Sequence, residues 1–163
     1  MIQWANARLA LSVLLSLSMG ATVSMADAQS SPPRPRPKLP LELLPDTLAI
    51  CRLDARAPIP DWTRGADAFL TLSRTAEELS ITAVQSAVPA EVRCQRGYRG
   101  FRVRGPLPLD LVGVLAAIAD PLADARLSIF AISTFDTDYV LVQAGDLAPA
   151  IGALERAGHR VRR

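Results

Sequence analysis

The sequence predicts an α+β protein of two small units in tandem, and three observations carry that prediction. From Tyr98 onward the chain reads strand, helix, strand, strand, helix, short strand. The stretch before it repeats the order with a much reduced first helix. Half of the 163 residues are apolar and 21% are charged, enough for one core of ordinary globular type.

The first unit opens near Leu41. Thr47–Leu53 alternates and is rich in strand formers. Prolines at 58 and 60 leave at most one helical turn around Asp61 to Arg64. Ala68–Arg74 and Glu78–Val84 read as a hairpin closed by the tight Thr75-Ala-Glu turn. Val88–Val92 is expected to be a short helix with Pro89 in its first turn.

In the second unit, Tyr98–Arg104 is a strand ended by Gly105-Pro-Leu-Pro108. Asp110 is expected to cap a helix reaching about Arg126, with Leu111, Leu115, Ile118 and Leu122 along its apolar face and Pro121 kinking it. Leu127–Ser133 and Asp138–Gln143 are strands joined by Thr134–Thr137. A last helix runs from a cap at Asp146 to a stop at Gly158, with Ile151 and Leu154 on its buried face, and His159–Arg163 supplies a short final strand. This is the ferredoxin-like split βαβ order. Units of this size are marginal alone, so the two sheets are expected to pack side by side.

Residues 1–28 resemble an export signal: Arg8, the apolar run Leu9–Val23, then Ala26-Asp-Ala28 as a small-x-small cleavage site. That run is shorter than the roughly 20 apolar residues a membrane span needs. A start at Met25 would instead make the protein cytoplasmic, and the residues leave both readings open. Residues 29–43, with five prolines from Ser30 to Pro40, read as a stiff linker. The units follow as 44–97 and 98–163. The formal charge is +2, but four basic residues and one acid lie in the first 40 positions, which leaves 14 basic and 15 acidic residues from Leu41 onward. A near-neutral folded part argues against a nucleic-acid partner.

Catalytic material is sparse. The single histidine, His159, follows a helix stop and reads as solvated. Cys51 and Cys94 lack a CxxC partner or a nearby histidine and read as small packed apolar side chains, with a disulfide as the alternative if the chain is exported. No phosphate loop, GxSxG or HExxH occurs, so no catalytic residue, metal or cofactor is assigned. Arg93, Arg96, Arg99, Arg102 and Arg104 crowd one stretch but split between two strand faces, the pattern of a solvated surface with local ion pairs. Asp136 and Asp138, two apart beside hydroxyls, read either as a polar turn or as a clamp for a cationic group. Gly113, near a helix start, lets a ligand approach outward-pointing amides or lets the helix pack tightly.

Leu48–Asp54, Ile59–Trp62, Ser73–Ile81, Gly113–Ala116 and above all Ser128–Val142 resemble small bacterial proteins with two tandem ACT domains and, more distantly, the ACT repeats of CASTOR-type cytosolic arginine sensors. The resemblance implies a non-enzymatic module that binds an amino acid at an interface between ACT units, with a homodimer completing the site. It places the α-carboxylate at the amides of Val112 and Gly113, the amino group at backbone oxygens near Thr134 and Phe135, and a polar or cationic end at Asp138, beside Asp136. The alternatives are a protein-interaction module without a small ligand and a small enzyme relying on Asp136 and Asp138.

Overall fold

The computed structural model describes residues 36–64 and 69–163. The signal-like segment and most of the proline-rich stretch lie outside them. Strand β1 (Pro40–Leu53) is followed by a 3-10 turn at Asp61–Thr63 and the hairpin β2 (Leu70–Arg74) and β3 (Leu79–Val84). Then come β4 (Cys94–Val103), helix α1 (Val114–Asp124), the hairpin β5 (Phe130–Ser133) and β6 (Asp138–Gln143), helix α2 (Leu147–Arg156) and β7 (Arg160–Arg162). The strands form one seven-stranded sheet in the order β2-β3-β1-β4-β6-β5, with β7 parallel to the start of β1. Two ferredoxin-like halves share it.

The halves are joined by two long strands. β4 opposes the end of β1 through Cys94 and its beginning through Phe101 and Val103, while Tyr98 to Arg102 pairs with β6. β1 also begins four residues inside the stretch read as linker, because Leu39 and Leu41 are apolar and pack into the core beside Phe101 and Val103. On that face α1 and α2 bury Val114, Ala117, Ile118, Leu122, Ala150, Ile151 and Leu154. The sheet coils strongly. Phe69, just before β2, meets Tyr139 of β6 edge-on, ring centroids 4.8 Å apart, although β3, β1 and β4 lie between their strands in the sheet order.

Five local expectations are corrected. Val88–Val92 is not a helix; the 3-10 turn falls at Gln85–Ala87, and Arg96 donates to the Val88 and Pro89 carbonyls that a helix would use. Asp110 caps nothing: α1 begins at Val114, after Gly113 in a left-handed conformation (φ 89°) that interrupts helical geometry. The buried face of α1 is therefore Val114, Ala117, Ile118 and Leu122, and Leu111 and Leu115 stay exposed. Cys51 and Cys94 are disulfide-bonded, because register sets them directly opposite on β1 and β4 however long the chain between them.

His159 is not solvated; it is 6% exposed. Pro121 has no N–H, so within α1 the Ala117 carbonyl loses its normal i+4 donor. The His159 Nε2–H donates to that carbonyl at 2.9 Å, and Nδ1 accepts the Leu39 N–H at 3.1 Å. One ring thus fills the gap the proline leaves in α1 and fastens the helix to the entry of β1. The two partners fix the neutral Nε2–H tautomer.

Candidate functional site

Turn 134–137 and the connection from β4 to α1 face each other across a cleft. The turn closes with Thr134 N–H and Oγ1–H both donating to the Thr137 carbonyl, at 2.9 and 2.7 Å. It is then fastened to the connection. The Leu107 N–H donates to the Asp136 carbonyl at 2.8 Å, and the Thr137 hydroxyl donates to the Val103 carbonyl. The approach is so close that a Cβ on Gly105 would lie 2.6 Å from the Asp136 carbonyl oxygen. Glycine there is a steric requirement.

The cleft encloses about 160 Å³, and its walls carry Leu107, Leu111 and Val114 on one side and Thr134, Phe135, Asp136 and Asp138 on the other. That is below the roughly 300 to 1,000 Å³ usual for whole small-molecule sites, so the cleft suits a small polar group. The first helical bond of α1 is Ala117 N–H to the Gly113 carbonyl. The amides of Val114, Leu115 and Ala116 thus have no acceptor within the helix and present the positive end of its dipole. Across the cleft stand two carboxylates; Asp138 is held by the Ser133 hydroxyl, its cross-strand partner, at 2.5 Å. No basic side chain lines the cleft. Its two walls are of opposite polarity, matching a zwitterion.

Of the six residues singled out in the sequence, Thr134, Phe135, Asp136 and Asp138 come together here. Val112, 75% exposed, and Gly113 do not line the cleft, and Val114 takes the helix side. A Cβ on Gly113 would meet nothing nearer than Pro37 at 4.0 Å, so its left-handed φ and not tight packing accounts for the glycine. Sequence reasoning missed Leu107 and Leu111 as wall residues, and Gly105 as the point where the connection meets the turn; the Gly-Pro-Leu-Pro run of 105–108 was the signal for Gly105 and Leu107. Leu109 and Phe135, which line the cleft and are each at least 75% exposed, form an apolar rim. Among the described residues no three His, Cys, Asp or Glu side chains converge as metal ligands, and no helix is long and apolar enough to cross a membrane.

The second half thus has the βαββαβ order, with an open cleft at the start of its first helix. An ACT-domain model matches residues 93–156, and a model of an N-terminal domain matches 46–91. A solved structure from Agrobacterium tumefaciens is 35% identical, covers 77% of this chain and 93% of its own, and superposes with a TM-score of 0.73. The second half of the chain is therefore similar to ACT domains. The human and bovine proteins named cytosolic arginine sensor for mTORC1 subunit 1 are 42% identical over 60 residues. That match spans 36% of this chain and only 18% of the sensor. Aspartate kinase from Synechocystis, 17% identical over 79% of this chain and 28% of its own, has a TM-score of 0.55 and shares the fold.

Proposed function

We propose that the protein is a non-enzymatic regulatory module that senses an amino acid in the cleft between α1 and the 134–137 turn. The observation that carries this reading is the opposed polarity of the walls. The α-carboxylate is received by the free amides beginning at Val114, and the ammonium by the carbonyls and carboxylates of Thr134 to Asp138. The relatives named as arginine sensors and aspartate kinases are consistent with a sensing role. About 160 Å³ accommodates the head group but not a long side chain. The side chain then lies across Leu109 and Phe135, and a second copy of the chain covers that rim and completes the site.

Calorimetry against the twenty amino acids tests this. At least one is expected to bind in the micromolar range, Asp138→Ala to weaken it about tenfold, and the ligand to raise the dimer fraction in sedimentation. Absence of heat for all twenty would overturn the reading.

A further inference from the structure

The 134–137 turn has a second side. Behind it lies a larger hollow of about 500 Å³, walled by Arg102, Arg104, Gly105, Pro106 and Tyr139, with Thr134, Asp136 and Thr137 as the partition shared with the first cleft. Its volume is three times that of the cleft and within the range of roughly 300 to 1,000 Å³ usual for small-molecule sites.

The donors in this hollow are arranged and in part uncommitted. Arg102 and Tyr139 are cross-strand partners on β4 and β6. The Tyr139 ring is set by its edge contact with Phe69. Arg102 gives Nη2–H to Glu42 at 2.6 Å, and that bond raises its pKa above the ordinary arginine value. The bond occupies one of five guanidinium N–H groups and fixes the plane of the fork. Arg104, one residue past the end of β4, lines the same hollow, is exposed and forms no ion pair among the described residues. The two threonine hydroxyls are consumed within the turn and add nothing. Glu42 and Asp136 balance the two guanidiniums, so the hollow does not concentrate multiply charged anions. It offers directional donors of the kind that match a single carboxylate.

We propose that this hollow binds a small carboxylate-bearing molecule through Arg104, Arg102 and the Tyr139 hydroxyl, as a site separate from the amino-acid cleft. Arg104 holds the sheet through its backbone N–H, which donates to the Pro40 carbonyl, so Arg104→Ala keeps the fold. The probe is pyruvate, titrated into isotope-labelled full-length protein at constant ionic strength, with inorganic phosphate as the competing chemistry. Saturable shifts are expected at the amides of Arg102, Arg104, Gly105 and Tyr139. Arg104→Ala should weaken the interaction at least tenfold and Arg104→Lys less. Asp138→Ala should leave it unchanged, which separates this site from the cleft whether or not an amino acid binds there. Phosphate should bind at least tenfold more weakly. The proposal is overturned by an absence of saturable shifts, by shifts that persist in Arg104→Ala or gather at Arg160 to Arg163, or by phosphate binding as tightly as pyruvate.

Discussion

In the first half the β2–β3 turn runs Arg74-Thr75-Ala76-Glu77-Glu78-Leu79; in the second the β5–β6 turn runs Ser133-Thr134-Phe135-Asp136-Thr137-Asp138. The two close alike, Thr75 N–H to the Glu78 carbonyl and Thr134 N–H to the Thr137 carbonyl, each at 2.9 Å. Register makes Arg74 the counterpart of Ser133 and Leu79 that of Asp138. Yet in the first half the Arg74 guanidinium donates to the Ala55 and Ala57 carbonyls, in the connection that corresponds to 104–113. The position of the cleft is there occupied by the protein's own side chain, and the carboxylate that faces the cleft in the second half is replaced by a buried leucine. One turn geometry thus closes against the connection in one half and leaves a cleft open in the other, and the two differ in the side chain at the last residue of the preceding strand.

The halves also differ in how they bury the sheet. Among the described residues, α1 and α2 give the second half a cluster of fourteen buried residues; the first half, covered there only by turns, has six, and one of them is Cys51. The disulfide makes up the difference. Closing a loop of 43 residues stabilises by about 4 kcal/mol in the chain-entropy account. Cys51→Ala/Cys94→Ala, or reduction, is therefore expected to lower unfolding free energy in urea by about 4 kcal/mol. Hydrogen exchange should accelerate first in β2 and β3. Loss of protection confined to α1 and α2 would reverse the comparison.

The next largest effect belongs to His159, which serves the helical half alone. His159→Phe leaves the Leu39 N–H and the Ala117 carbonyl buried and unpaired, a cost of about 3 kcal/mol. Pro121→Ala restores a helix donor for Ala117, so in that background the same substitution should cost about 1 kcal/mol less. An additive double-mutant cycle in chemical denaturation would show that the histidine does not substitute for the missing donor.

Ser133→Arg imposes the first half's solution on the second. The new guanidinium is expected to reach the carbonyls of the connection from β4 to α1 and to weaken amino-acid binding at least tenfold, about 1.4 kcal/mol. Stability should stay within about 0.5 kcal/mol, since Ser133 is exposed. Calorimetry beside a thermal melt reads both, and unchanged affinity would separate the cleft from the ligand.

Much of this was legible in the sequence for identifiable reasons. Alternation and turn residues marked β1 to β6, Asp136 and Asp138 stood out as paired carboxylates at a strand junction, and Thr134 and Phe135 were indicated by the resemblance to ACT domains. What escaped depended on relations between distant residues. Cys51 and Cys94 pair by register, which sequence separation conceals. His159 is buried because it answers Pro121, 38 positions earlier. Leu111 and Leu115 fit an apolar helical period but serve the cleft wall and the surface around it, because the left-handed Gly113 delays the helix.

The smallest effect expected lies within the helical half, where α1 and α2 end by the same motif with different residues. After α2, Gly158 (φ 92°) and His159 donate to the Glu155 and Leu154 carbonyls. After α1, Arg126 and Leu127 donate to Ala123 and Leu122 in the same pattern, but Arg126 adopts a φ of 59° while carrying a Cβ. A non-glycine residue in that conformation costs about 1 to 2 kcal/mol, offset in part by the greater entropy glycine would have in the unfolded chain. Arg126→Gly is therefore expected to stabilise the protein by about 0.5 to 1 kcal/mol, read as a rise in the urea midpoint with an unchanged slope. Gly158→Arg should do the opposite and more strongly, because a Cβ there would meet the Lys38 side chain at 3.0 Å. Equal and small responses at the two helix ends would mean that the left-handed residue, and not the carbonyls it satisfies, is unimportant to where these helices stop.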